Sequence, residues 1–157
     1  MIDKVYTSYF YKIRFFEPNM VPLSTAVWDP KWYHNLKGNN MVFIDKRGVI
    51  NGLRIYQLHP DKTCDFYCEQ CKKTKDPATC DFLKKYAEQL DRIDFNVFMA
   101  NLENYLEVIK TEYLKTDKDL IPVFMVHEAL GNPCSERRTI QDWFGKNGVP
   151  CSEWFED

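Results

Sequence analysis

The sequence predicts an α/β fold: a single compact domain over residues 1–157, with a mainly parallel, Rossmann-like sheet flanked by helices and a four-cysteine metal-binding insertion. Three observations carry this. Residues 120–127 (LIPVFMVH) are a near-continuous apolar run without the alternation of a half-exposed strand, the pattern of a parallel strand covered on both faces. Strand-like and helix-like segments alternate along the chain. A polar stretch at about 59–80 interrupts that pattern and carries four of the six cysteines.

Residues 4–10 (KVYTSYF), β-branched and aromatic, predict a first strand. Residues 21–27 (VPLSTAV) predict a second, with Pro22 near its start, where a missing donor is tolerated. A loop rich in Trp28, Pro30, Trp32, Tyr33 and His34 follows, suited either to stacking on a flat ligand or to covering a core. Residues 41–44 and 55–58 are short strand-like runs, separated by the turn signal Asp45-Lys46-Arg47-Gly48.

Asp81 is placed as a helix N-cap. Leu83, Tyr86, Leu90 and Ile93 then recur at helical spacing, which makes an amphipathic face. A second face runs through Phe95, Phe98, Met99, Leu102, Leu106, Ile109 and Tyr113 and breaks at residues 116–119. After the apolar strand, Gly131-Asn132-Pro133 marks a tight loop. Residues 135–147 predict a helix with Ile140, Trp143 and Phe144 inward and Gly148 at its stop. Residues 149–155 can add a closing strand. A ligand crevice is expected beyond the C-terminal ends of the strands.

Hydrophobic residues make up 45 % of the chain and aromatics 15 %, enough for a solid core and against global disorder. A formal net charge of -2 gives no global reason to bind nucleic acid or an anionic membrane, which leaves a local basic patch as the route to either. No apolar run approaches the ~20 residues of a membrane span, and residues 1–6 lack the blocks of a signal peptide. The expectation is a cytoplasmic protein without a membrane partner. In that reducing setting, clustered cysteines point to metal or catalysis more than to disulfides.

The cysteines are spaced Cys64-x3-Cys68-x2-Cys71-x8-Cys80, with His59 five residues upstream as an alternative ligand. Short gaps gather three thiolates and a longer loop returns the fourth, the closed shell of a structural zinc site. Free thiols and an iron–sulfur cluster are the alternatives. The first three also match the spacing of the radical S-adenosylmethionine cluster. That chemistry needs an iron left open for its cofactor, and Cys80 would close it.

His127 and Glu128 end the apolar strand, and Cys134, Ser135, Arg137 and Arg138 stand at the start of the next helix. Helix N-terminal N–H groups with arginines in the first turn suit a phosphate or another anion. A plain cap with surface arginines is the alternative. A phosphatase loop needs Arg in the sixth position after its Cys, but Ile140 stands there relative to Cys134. A hydrolase elbow needs glycines around Ser135 that are absent. Thr7 and Ser8, late in the first strand, can reach the same crevice. The candidate catalytic residues are therefore Glu128, Cys134, Ser135 and Arg137. The candidate ligand-binding residues are Thr7, Ser8, Arg137 and Arg138.

Tyr6-Thr7-Ser8-Tyr9-Phe10, Pro22-Leu23-Ser24 and Pro30-Lys31-Trp32-Tyr33 resemble the small bacterial and phage proteins grouped as domain of unknown function 488. So do Glu128 after a buried strand and the ending Arg137…Asp142-Trp143-Phe144…Gly148…Cys151…Glu153-Trp154. The family typically carries Cys-His-Arg before its last helix; here Ser135-Glu136-Arg137 aligns, preceded by Cys134. The resemblance implies a compact α/β fold with a site around Arg137, and a phage- or prophage-type subgroup with an added Cys-rich segment.

The leading functional reading is an enzyme acting on a phosphorylated small molecule, a nucleotide or nucleic acid. One alternative is a protein-interaction factor, such as a phage protein acting on a host target in the host cytoplasm. The other is a zinc-stabilised nucleic-acid-binding module using Lys72, Lys73 and Lys75.

Overall fold

The computed structural model describes residues 2–34, 42–61, 76–127 and 135–156. Its strands are β1 (Val5–Tyr9), β2 (Met20–Ser24), β3 (Phe43–Ile44), β4 (Ile50–Asn51), β5 (Ile121–Val126) and β6 (Cys151–Glu153). Its α-helices are α1 (Asp81–Asp91), α2 (Phe95–Val108) and α3 (Arg137–Lys146). Strands β2, β5, β1 and β6 form a four-stranded sheet in that order, with every pairing parallel. Strands β3 and β4 make a separate antiparallel hairpin.

The two-residue period of the strands divides the core in two. Val5 of β1, Val21 and Leu23 of β2, and Phe124 and Val126 of β5 pack with Tyr86, Leu90, Phe98, Leu102, Ile140 and Phe144 of the helices. On the opposite face, Met20, Val123 and Met125 pack with Phe10, Ile13, Phe16 and Tyr33. Strand β5 is central and parallel to β1, paired from Tyr6↔Val123 to Tyr9↔Val126, as its unbroken apolar run predicts. Pro122 is accommodated because the ladder to β1 begins one residue later, so its missing N–H falls where only the edge strand β2 is paired.

The connections differ from the expectation of regular alternation. A 3-10 segment (Phe10–Phe15), not an α-helix, joins β1 to β2. The Arg47 guanidinium fastens that segment by donating to the carbonyls of Ile13, Arg14 and Phe16.

The run at 55–58 is a 3-10 turn (Tyr56–Leu58), and the partner of β3 is Ile50–Asn51. The turn before it closes early for two reasons. The Asp45 carboxylate accepts from Arg47 N at 2.9 Å and Val49 N at 3.1 Å, and Gly48 takes φ +88°.

Helix α1 starts at Asp81 with Cys80 as its cap residue, so the N-cap lies one residue earlier than expected. The second helical face is α-helical to Val108 and then widens into a π-helical turn (Ile109–Leu114), which stops at Lys115 in the left-handed region. Helix α3 begins at Arg137, two residues later than expected, and its cap position is Glu136 rather than Ser135. Residues 62–75, and with them Cys64, Cys68 and Cys71, lie outside the described residues.

The neighbouring central strands send their chains to opposite faces. From β1 the chain enters the 3-10 segment, whose Phe10 and Ile13 belong to one core. From β5 it leads to α3, whose Ile140, Trp143 and Phe144 belong to the other. This is the topological switch point at which parallel sheets open a crevice beyond their C-terminal ends.

Candidate functional site

Two buried polar clusters stand at that C-terminal edge. The first joins β1, β6 and α3. Thr7 and Glu153 lie side by side in the parallel β1–β6 ladder, which points both side chains toward the helix face. Thr7 Oγ1 donates to Glu153 Oε1 at 2.7 Å and accepts from Gln141 Nε2 at 2.7 Å. Arg137 Nε lies 3.3 Å from the same Glu153 oxygen; the two side chains are only 8 % and 10 % exposed. The guanidinium also sits over the Tyr9 ring, 5.6 Å from its centroid.

Burial raises the Glu153 carboxyl above the ordinary carboxylate range, against the opposing pull of the Thr7 hydrogen bond and the Arg137 charge. Next to it, burial and the Glu153 charge push the Cys151 thiol up to about 12, which leaves it an inert core thiol.

The second cluster stands at the end of β2. Asp29, whose side chain is 2 % exposed, accepts from Ser24 Oγ and pairs with His34 Nε2 at 2.6 Å and Arg54 Nε at 3.4 Å. Arg54 is placed by a parallel bridge to Ser24, the last residue of β2, and its Nη2 donates to Ala26 O at 3.1 Å. The same Nη2 lies 3.2 Å from His59 Nδ1. Burial first, and then the Arg54 charge, hold the His59 imidazole below its ordinary pKa, so it is neutral near pH 7.

A carboxylate can only accept, so His34 Nε2 carries the proton facing Asp29. Its other ring nitrogen, Nδ1, is buried without a hydrogen-bond partner among the described residues. His127 follows β5, with its ring centroid 3.9 Å from that of Trp28. All three histidines of the chain therefore gather at one edge of the sheet.

Of the residues predicted for the site, Thr7 and Arg137 do meet, and Glu153 joins them. Ser8 is buried but faces the other side of the sheet, where its Oγ has no hydrogen-bond partner among the described residues. Ser135 is buried beside the start of α3, where its Oγ accepts from Arg137 N at 3.4 Å. Arg138 points to solvent. Glu128 and Cys134 lie outside the described residues. Cys80 is buried, and no group of three metal-ligating side chains occurs among the described residues.

Sequence reasoning missed Glu153, Gln141, Asp29 and Arg54 as site residues. The available signal was that His34, His59 and His127 each follow a strand or a strand-like run. The Trp/Tyr loop divides by role: Tyr33 is fully buried, with its hydroxyl on Pro22 O and Leu53 O, whereas Trp28 is 60 % exposed. No helix among the described residues is long and apolar enough to cross a membrane. No family model, curated protein or solved structure matches the chain, so the geometry alone carries the assignment.

Proposed function

We propose that this protein is an enzyme acting on a phosphorylated small molecule or nucleotide at the C-terminal edge of its sheet. The observation that carries the reading is Asp29, a buried carboxylate gripping an imidazole and a guanidinium at once. Gathering a buried carboxylate, an imidazole and a partly exposed guanidinium in one cluster costs stability, and evolution tolerates it most readily where the groups do chemistry.

In this reading Asp29 orients the His34 imidazole as the general base. Arg54 supplies positive charge for a phosphate, and neutral His59 stands beside it as a second proton carrier. Arg137 and Glu153 hold the first turn of α3 against β1 and β6, which orients its N–H groups along the same edge. The proposed kinship with domain of unknown function 488 points the same way, since it implies a site around Arg137.

The test is turnover of a panel of phosphomonoesters, phosphodiesters and nucleotides. His34→Gln should lower kcat by roughly 10²- to 10⁴-fold while the fold is retained. Absence of turnover for every phosphate ester would remove the enzyme reading.

A structural zinc held by Cys64, Cys68, Cys71 and Cys80 is part of the same proposal. The spacing supports it, as does the burial of Cys80 at the positive end of α1, where a thiolate is favoured.

A further inference from the structure

A cavity of about 390 Å³ opens between the segment after β4 and helix α2. That size is within the range of small-molecule sites. Tyr56 and Tyr105 supply its aromatic walls, Phe98 is part of its apolar lining, and Gln57 and Asn101 bring side-chain amides. Arg54 closes one end.

Several features distinguish this cavity from an ordinary surface cleft. Tyr56 is 74 % exposed, yet it is not loose, because the Arg54 guanidinium lies over its ring at 5.4 Å and the His59 ring is 5.2 Å away. Tyr105 is half-buried, and burial together with the neighbouring Tyr113 and Tyr56 phenols raises its hydroxyl pKa, so it stays a neutral donor. Neither the Gln57 nor the Asn101 side-chain amide hydrogen-bonds to another described residue, so each keeps a donor and an acceptor for a ligand. Arg54 belongs both to this cavity and to the Asp29 cluster, which makes the cavity continuous with the proposed phosphate edge.

We infer that this cavity takes the base of a nucleotide: a planar heteroaromatic ring stacked on Tyr56, read on its edge by Asn101 and Gln57, with the sugar phosphate directed toward Arg54. Each part answers one property of that ligand. The phenol ring offers a π face, the amides match a ring edge bearing both donors and acceptors, and the guanidinium meets the negative charge. Other flat apolar ligands would leave the two amides unanswered. The inference rests on the proposed function for the phosphate but not for the base.

The experiment is a titration of the full chain with the four common 5′-mononucleotides, their free nucleosides and ribose 5-phosphate, followed by calorimetry and ligand-observed NMR. At least one mononucleotide should bind ten or more times tighter than ribose 5-phosphate, and its free nucleoside should bind measurably. Tyr56→Ala should weaken that mononucleotide roughly 5- to 150-fold, the range for losing one stacking partner. It should affect ribose 5-phosphate binding far less, and Tm little, since the residue is exposed. Asn101→Leu should alter the preference among the four bases.

Equal binding of mononucleotide and ribose 5-phosphate, or indifference to both substitutions, would overturn the inference. Failure of all four bases to bind would do the same. Nucleoside binding lost in Tyr56→Ala, together with no turnover of any phosphate ester, would uphold the base site and defeat only the enzymatic reading.

Discussion

Removing either partner of the Arg137–Glu153 pair should produce unequal losses, and the inequality should depend on pH. Both side chains are about nine-tenths buried, with Arg137 Nε 3.3 Å from Glu153 Oε1. In Glu153→Leu a guanidinium is left in the core with no means of shedding its charge, because arginine does not deprotonate in this range. Breaking a buried pair this way costs about 3–5 kcal/mol.

In Arg137→Met the abandoned group is a carboxyl already raised by burial, and removing the Arg137 charge raises it further. It can take up a proton. Holding that proton costs less at pH 5 than at pH 7, because pH 5 lies closer to the ordinary carboxylate range of the unfolded chain. The sign follows from the raised folded value. The carboxyl's contribution is fully present below its unfolded value and is lost as pH rises through its folded value. Urea denaturation at the two pH values should therefore show a smaller loss for Arg137→Met at pH 5 than at pH 7. The double variant should lose less than the sum of the singles, since it strands neither charge. An Arg137→Met loss that does not shrink from pH 7 to pH 5, or simple additivity, would refute the placement of the pair.

Tyr33→Phe should destabilise by about 1–3 kcal/mol in thermal or urea melts, because the Pro22 and Leu53 carbonyls lose a buried donor. Gly148→Ala should cost about 1–2 kcal/mol; an added Cβ would meet nothing within 4 Å, so the whole cost is the positive φ. Elemental analysis should find about one zinc per chain, with Cys71→Ser lowering both metal content and stability. Cys151→Ser should keep the metal.

The parts of the fold legible in the sequence were those where burial leaves a periodic trace. The run at 120–127 announced a strand covered on both faces, and it occupies the centre of the sheet. The three helices followed from apolar spacing; the ends of α1 and α3 were off by one or two residues, and α2 gave way to a π turn at Ile109 that the spacing did not show. The 3-10 turn at Tyr56–Leu58 was misread because a three-residue apolar spacing looks strand-like over so short a span. The β3–β4 register depended on the Asp45 side chain, which no pattern of hydrophobicity reveals.

At the site, Thr7 and Arg137 were predicted to converge from the order of strand and helix alone. Glu153 escaped because its role depends on β6 lying beside β1, a pairing across nearly the whole chain. Asp29 and Arg54 escaped for a similar reason, since the bridge from Ser24 to Arg54 that aligns them is long-range.

The proposed working surface is the C-terminal edge of the sheet. Amide chemical-shift mapping during titration with a 5′-mononucleotide tests it most directly. The expected shifts cluster at residues 24–29, 54–59 and 135–137, with His34 and His127 moving alongside them. Shifts confined to the opposite edge, around Lys4 and Lys110, would contradict the account, as would a spectrum unchanged at saturating nucleotide.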